Sequence, residues 1–253
     1  MIRLVACDLD GTLLDEKGLL PEGTFPLIRR MKEKGIAFAA ASGRQWGNLQ
    51  RMFFPVCKDM AFLCENGAFI DAKGQQERSV FPRETAEAVI RDILDAGMEL
   101  LISTPETSFV LASAAKAYAD DIVYRLRNTV TVIDDPFLLA DGYIKLSGFH
   151  PVDAAPLAPA LQAKWGTQMH VDIAGKKWLD FTLVNKGDGI HALCRLMDIP
   201  LSDVAAFGDQ YNDVSMLDAV GHPFLMDSAP AELRQKGYAP CHHVPDTLNE
   251  ILA

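Results

Sequence analysis

Short apolar runs separated by polar, helix-like stretches recur along the first eighty residues. Residues 2–7 are apolar except for Arg3 and stop at Asp8, the pattern of a parallel strand buried on both faces. In residues 24–34, Phe25, Ile28 and Met31 share one face and Gly35 supplies a stop, which predicts a helix. A second apolar run, 36–41, ends at Ser42-Gly43-Arg44, and residues 45–54 predict another helix. A third run, 61–64, is followed by Glu65-Asn66-Gly67. Residues 68–72 and 75–81 flank Lys73-Gly74 and predict a hairpin. Strands alternating with helices at this spacing call for right-handed crossovers and a parallel sheet.

The texture changes at Pro82. Helices are predicted over 84–96, 114–126 and 154–165, and strands over 98–103, 108–112, 143–149, 168–173 and 178–183. Strands that follow one another directly, with helices between the pairs, predict an α+β module with a mainly antiparallel sheet. Past Lys186 the first texture returns. A helix over 188–197 leads to a strand over 203–207, then a helix over 212–219, a short strand over 223–226 and a helix over 246–252. The expected fold is α/β: a Rossmann-like parallel-sheet core built from residues 1–81 and 186–253, interrupted by an inserted α+β domain, residues 82–185.

At 253 residues the chain suits one large domain or two small ones, and 49% hydrophobic residues provide a core. A formal net charge of -10 repels a polyphosphate backbone and predicts no nucleic-acid partner. No apolar run approaches the roughly 18 residues of a membrane helix, which predicts no membrane partner. The opening apolar run is too short for a signal peptide. Five cysteines, odd in number and without C-x-x-C spacing, read as free thiols in a cytoplasmic protein.

Four motifs carry candidate chemistry. In Asp8-Leu9-Asp10-Gly11-Thr12, residues i and i+2 of extended chain point the same way, so two carboxylates face one spot at the carboxyl end of the first strand. Such a pair calls for a cation or a shared proton and suits nucleophilic and acid/base work; a helix cap or turn is the plain alternative. Ala41-Ser42-Gly43-Arg44 offers a hydroxyl and backbone N–H groups for an anion, or an ordinary N-cap. Lys186, in Asn185-Lys186-Gly187-Asp188-Gly189, opposes the dipole at a helix start, as an anion-binding lysine or a solvated one. Asp209 and Asp213, in Gly208-Asp209-Gln210-Tyr211-Asn212-Asp213, lie one turn apart and offer hard oxygens suited to Mg²⁺, or a capped helix start.

Taken together and in this order, the four motifs resemble the haloacid dehalogenase superfamily along the whole chain. The resemblance implies Asp8 as nucleophile and Asp10 as general acid/base. It implies Ser42, Gly43, Lys186 and Asn212 as binders of the substrate phosphate. Asp8, Asp209 and Asp10, through its backbone carbonyl, would hold Mg²⁺, with Arg44, Asn66 and Asp213 in support. Between Asp10 and Ser42 lie 31 residues, and between Ser42 and Lys186 lie 143, so the insertion falls between the second and third motifs. That placement is similar to the caps of Cof-like, subclass IIB phosphatases. One departure is the approach to Lys186: residues 178–185 run in without the glycine-containing turn usual in that subclass. The resemblance implies Mg²⁺-dependent hydrolysis of a small phosphorylated metabolite, a sugar phosphate or phosphorylated cofactor, through an aspartyl phosphate. A phosphomutase or a catalytically silent binding protein are the alternatives.

Overall fold

A computed structural model describes residues 1–138 and 142–253. The chain opens with β1 (Leu4–Cys7), every residue of which is buried, followed by a turn over Leu9–Leu13. Next come α1 (Thr24–Glu33), β2 (Ala37–Ala41), α2 (Trp46–Met52) and β3 (Ala61–Cys64). β4 (Phe69–Ala72) and β5 (Gln75–Arg78) flank Lys73-Gly74, both with positive φ. Then follow α3 (Arg83–Asp95), β6 (Glu99–Ser103), β7 (Ser108–Leu111), α4 (Lys116–Asp120), β8 (Val130–Ile133) and β9 (Lys145–Phe149). α5 (Ala158–Trp165), β10 (His170–Ala174) and β11 (Trp178–Thr182) precede α6 (Lys186–Met197). β12 (Val204–Gly208), α7 (Val214–Ala219), β13 (His222–Met226), α8 (Ala231–Arg234), β14 (Ala239–Cys241) and α9 (Val244–Ile251) complete the chain.

These elements form two compact units, one of residues 1–43, 49–77 and 185–253, the other of residues 44–48 and 78–184. The boundary at the front differs from the expected 81/82, and the short segment 44–48 counts with the second unit. The physical reason for the latter is direct. Gln45 Oε1 accepts the backbone N–H of Thr129 at 2.9 Å, its Nε2 donates to Ser108 Oγ at 3.2 Å, and the Asn48 amide bonds the Leu126 carbonyl.

The first unit carries an eight-stranded sheet in the order β14-β13-β12-β1-β2-β3-β4-β5. Pairing from β14 through β3 is parallel, and β4 turns back antiparallel on β3. The central strands are apolar along their length because both faces are covered. On one face Leu4, Ala6, Leu63 and Ala206 pack with Ile190 and Leu193 of α6 and Met216 and Leu217 of α7. Strand order reverses at β1, with β2 and β3 on one side and β12 to β14 on the other. Carboxyl ends at such a reversal are where open α/β sheets take ligands.

The second unit carries a six-stranded sheet in the order β10-β11-β9-β6-β7-β8, antiparallel except for β7 with β8. One helix here differs from expectation. The helix predicted over 114–126 is only α4, followed by a wider turn in which Leu126 N donates to Asp121 O at 3.0 Å. Ile122, Val123 and Tyr124 are poor helix formers and do not sustain α geometry there. β8 here, and β14 and α8 in the first unit, are additions to the predicted set.

Candidate active site

The site of the first unit is built on four chain turns. β1 ends at Cys7, and Asp8 continues in extended backbone (φ −62°, ψ 162°) with its N–H donated to Phe207 O of the neighbouring β12 at 2.9 Å. The turn then passes through Asp10 and through Gly11 at φ 88°. Gly11 has a second constraint: a Cβ there would sit 2.4 Å from Asp209 Oδ2. The glycine thus lets the first motif close onto the fourth. Asp8 is buried and Asp10 is exposed.

β12 delivers Asp209 beside Asp8, since Phe207 is the register partner of Cys7. Thr12 Oγ1 donates to Asp209 Oδ1 at 3.0 Å, and Gln210 Nε2 donates to Oδ2 at 3.0 Å. Asp213 folds back on the same turn. Its Oδ2 accepts the backbone N–H groups of Asp209 and Gln210, each at 3.0 Å.

Lys186 is the first residue of α6, two residues earlier than the predicted helix start. Asn185 caps the helix: its Oδ1 accepts from Gly187 N and Asp188 N, while Asp188 Oδ2 accepts from Asn185 N. Such a reciprocal box satisfies the first orphan donors and stabilises the helix by about 1 kcal/mol. Ser215 Oγ accepts a further bond from Gly187 N. The Lys186 ammonium is buried and lies 2.6 Å from Asp8 Oδ1 and 2.6 Å from Asp213 Oδ1.

Charge is unevenly matched in this cluster. Burial opposes the Lys186 charge, but the Asp213 and Asp8 carboxylates outweigh it and raise its pKa. Burial pushes the Asp8 carboxyl up to about 7, against the downward pull of Lys186. Burial likewise raises Asp209, aided by Asp213. Oxygens of Asp8, Asp209 and Asp213 lie within 4.8 Å of one another. Three carboxylates face one ammonium, and Asp209 is bonded by a hydroxyl and an amide, both neutral. Such a set of hard oxygens favours a divalent cation of the magnesium type. Both Asp213 oxygens are held by backbone N–H groups or the Lys186 ammonium, whereas Asp209 accepts from neutral side-chain donors.

The second motif lies after β2, the other neighbour of β1. Ser42 is buried; its N–H bonds Leu63 O at 2.8 Å and its carbonyl accepts from Asn66 N at 3.1 Å. Glu65 and Asn66 both take left-handed backbone, φ 49° and 56°, costly for residues with side chains. That turn sets Asn66 against Gly43, where a Cβ would approach Asn66 Oδ1 to 3.1 Å. Asn212 Nδ2 reaches Asn66 Oδ1 at 3.5 Å, so Asn66 lies between the second and fourth motifs. Arg44 is half-buried and falls in the segment counted with the second unit. Thr12, Gln210 and Ser215 are site residues that sequence reasoning missed, although Thr12 and Gln210 stand inside the motifs it singled out.

The chain is similar to known proteins along most of its length. A family model for haloacid dehalogenase-like hydrolases matches residues 5–244. The chain is 29% identical over 240 residues to 5-amino-6-(5-phospho-D-ribitylamino)uracil phosphatase of Escherichia coli, covering 90% of this chain and 86% of that protein. It is 28% identical over 239 residues to HMP-PP phosphatase of Escherichia coli O157:H7, covering 92% and 87%. A haloacid dehalogenase-like hydrolase of B. subtilis superposes with a TM-score of 0.84 at 20% identity, over 99% of this chain and 100% of that one. A subclass IIB sugar phosphatase superposes with a TM-score of 0.81 at 17% identity, over 98% of each. Among the described residues no helix is long and apolar enough to cross a membrane.

Proposed function

Because the chain belongs to the haloacid dehalogenase-like hydrolase family, we propose that it is a Mg²⁺-dependent phosphatase that cleaves a small phosphate monoester through an aspartyl phosphate on Asp8. The observation that carries this reading is the Asp8–Lys186 contact. A buried carboxylate has one oxygen, Oδ1, fixed at 2.6 Å by a buried ammonium, and its Oδ2 remains to meet phosphorus. Held in that way, the nucleophile is oriented before substrate arrives, which is where much of the rate of a positioned reaction originates.

In the first step an oxygen of Asp8 forms a bond to phosphorus as the ester oxygen leaves with its electron pair. Asp10, exposed on the same turn, gives that oxygen a proton. In the second step Asp10 takes a proton from water, the water oxygen bonds to phosphorus, and inorganic phosphate departs as Asp8 is regenerated. Ser42, the Gly43 backbone and Asn212 bind the phosphate oxygens, and the Lys186 ammonium offsets their charge. Asp213 positions Lys186 and the Asp209 backbone. Asp8, Asp209 and the carbonyl of Asp10 would hold Mg²⁺, which supplies charge neutralisation between the anionic nucleophile and the anionic ester. Substrate choice is assigned to the second unit. The names of the curated relatives, both phosphatases of small phosphorylated compounds, support a small substrate.

The test is phosphate release from a panel of phosphorylated metabolites, with Mg²⁺ and with excess EDTA. Release from at least one ester with Mg²⁺, lost in EDTA, is expected. Full release in EDTA would remove the metal from the mechanism, and no release from any ester would remove the phosphatase reading.

A further inference from the structure

Side chains along the strands of the second unit alternate between two faces. Leu100, Ile102, Leu146 and Leu179 pack with side chains of α3 and α5. Leu101 and Val110 lie on the opposite face, where they pack with Tyr118 of α4 and with Ile122. On that face Glu99, the first residue of β6, stands opposite Phe149, the last of β9, and Phe149 stands opposite Trp178. The rings of Phe149 and Trp178 lie 5.2 and 5.9 Å from the ring of Tyr118. Farther along the same face Lys145 and Asp180 are buried and face each other at 3.6 Å.

A cavity of about 570 Å³ opens at the aromatic end, a size common for small-molecule sites. Phe149 and Tyr118 give it an apolar wall, and Gly97, Ala115 and Ala117 leave space that larger side chains would fill. Glu99, Asp121 and Lys177 supply its charges. Every lining residue belongs to the second unit, and none is assigned to phosphate chemistry.

Tyr118 is the unusual member of this wall. It is 2% exposed, and among the described residues its hydroxyl has no hydrogen-bond partner. A buried hydroxyl without a partner costs free energy that a phenylalanine in the same place would avoid. Burial, together with the Glu99 and Asp121 carboxylates, holds the phenol above its ordinary pKa, so it stays neutral. Tyr118 and Asp121 are three residues apart in right-handed helical backbone and share a face. Because both carboxylates that act on the phenol also line the cavity, its oxygen lies on the charged side of that space.

Two carboxylates against one ammonium leave the cavity short of positive charge. Lys177 Nζ stands 5.7 Å from the centre of the Phe149 ring, so this wall already receives a cation, although Lys177 itself is exposed. A primary ammonium ion has three N–H donors, enough for the Tyr118 oxygen and both carboxylates. We propose that this cavity binds a small primary ammonium compound with an apolar, ring-sized body, held by Glu99, Asp121 and Tyr118.

The experiment is calorimetric titration of the full chain with three compounds of similar shape and different charge: 2-phenylethylamine, 2-phenylethanol and phenylacetate. The amine is expected to saturate one site and to bind roughly tenfold tighter than the alcohol, the gain for a hydrogen bond to a charged group. Phenylacetate is expected to bind weakest. Glu99→Gln keeps an acceptor for the Ala115 N–H, which Glu99 Oε1 now accepts at 3.1 Å, and is expected to remove most of the amine's advantage over the alcohol. If that variant does not fold, Asp121→Asn decides by the same ratio. Tyr118→Phe is expected to weaken the amine severalfold without lowering the urea midpoint, since the hydroxyl bonds nothing in the free chain. A Tyr118→Phe variant that loses stability and binds the amine as before overturns the inference. Equal affinity for amine and alcohol, or no saturation by the amine below roughly 10 mM, also overturns it.

Discussion

Asp213 accepts the backbone N–H of Asp209 at 3.0 Å, so the second acidic residue of the fourth motif fixes the backbone that carries the first. The same side chain holds Lys186 at 2.6 Å through its other oxygen. Removing its charge leaves the buried ammonium with one carboxylate in place of two. Breaking a buried charged pair costs about 3 to 5 kcal/mol, and an amide retains part of the bonding. Asp213→Asn is expected to lower stability by about 3 kcal/mol and to raise the Mg²⁺ concentration needed for half-maximal turnover. Urea unfolding and metal titration measure the two effects. An unfolding midpoint equal to wild type contradicts the assigned bonds.

Asp8→Asn removes the nucleophile while conserving size. An amide is a poor nucleophile and a poor metal ligand, so turnover is expected to drop by about a thousandfold or more. Covalent labelling from a radioactive phosphate ester should vanish with it, while the far-ultraviolet spectrum stays that of a folded chain. More than a trace of residual turnover means that another group attacks phosphorus. The same assay separates a phosphatase from a phosphomutase: phosphate released should equal substrate lost, with no isomeric ester.

Gly11 and Gly18 form a matched pair for a third test. Both have positive φ, 88° and 72°, so alanine strains the backbone at either place by roughly 1 kcal/mol. Only at Gly11 does the added Cβ meet a side chain, Asp209 Oδ2 at 2.4 Å; at Gly18 nothing lies within 4 Å. Gly11→Ala is expected to cut Mg²⁺-dependent turnover by tenfold or more. Gly18→Ala is expected to share the stability loss and keep its turnover. Equal turnover in the two variants would show that the Gly11–Asp209 approach does not matter to the site.

These residues also show what the sequence discloses and what it withholds. β1, β2, β3 and β12 are legible because strands covered on both faces appear as unbroken apolar runs. Asp8, Ser42 and Asp209 are legible as positions, since each follows such a run. β14, Ala239-Pro240-Cys241, is short, lies at a sheet edge and contains proline, so no run marks it. β8 is likewise an edge strand, of the second unit's sheet. The bonds within the site are a different matter. Thr12 to Asp209 spans 197 positions and Lys186 to Asp8 spans 178, and no local period encodes a pairing created only when strands assemble. The burial of Lys145 and Asp180 is hidden for the same reason. Alternation places them on one face of a strand but does not reveal what covers that face.

The cysteines supply a test of the fold that needs no substrate. Cys7, Cys64, Cys194 and Cys241 are buried, and only Cys57 is partly exposed. Burial raises the thiol pKa at all four buried positions, with Cys194 pushed up to about 11. The thiolate is the reactive form, so both access and ionisation are suppressed at those four. Cys57 lies just before β3, and its Sγ has only a weak contact with the Phe54 carbonyl at 3.4 Å. In native buffer near pH 8, a disulfide reagent such as Ellman's should therefore modify one thiol rapidly and the other four far more slowly. Denaturant should release all five at one rate. Mass spectrometry of the singly labelled protein should place the adduct on Cys57, and the Cys57→Ser variant should lose the fast phase. A fast phase of two or more equivalents, or one that persists in Cys57→Ser, would show that at least one of the strands bearing Cys7, Cys64 and Cys241, or the α6 turn bearing Cys194, is open to solvent.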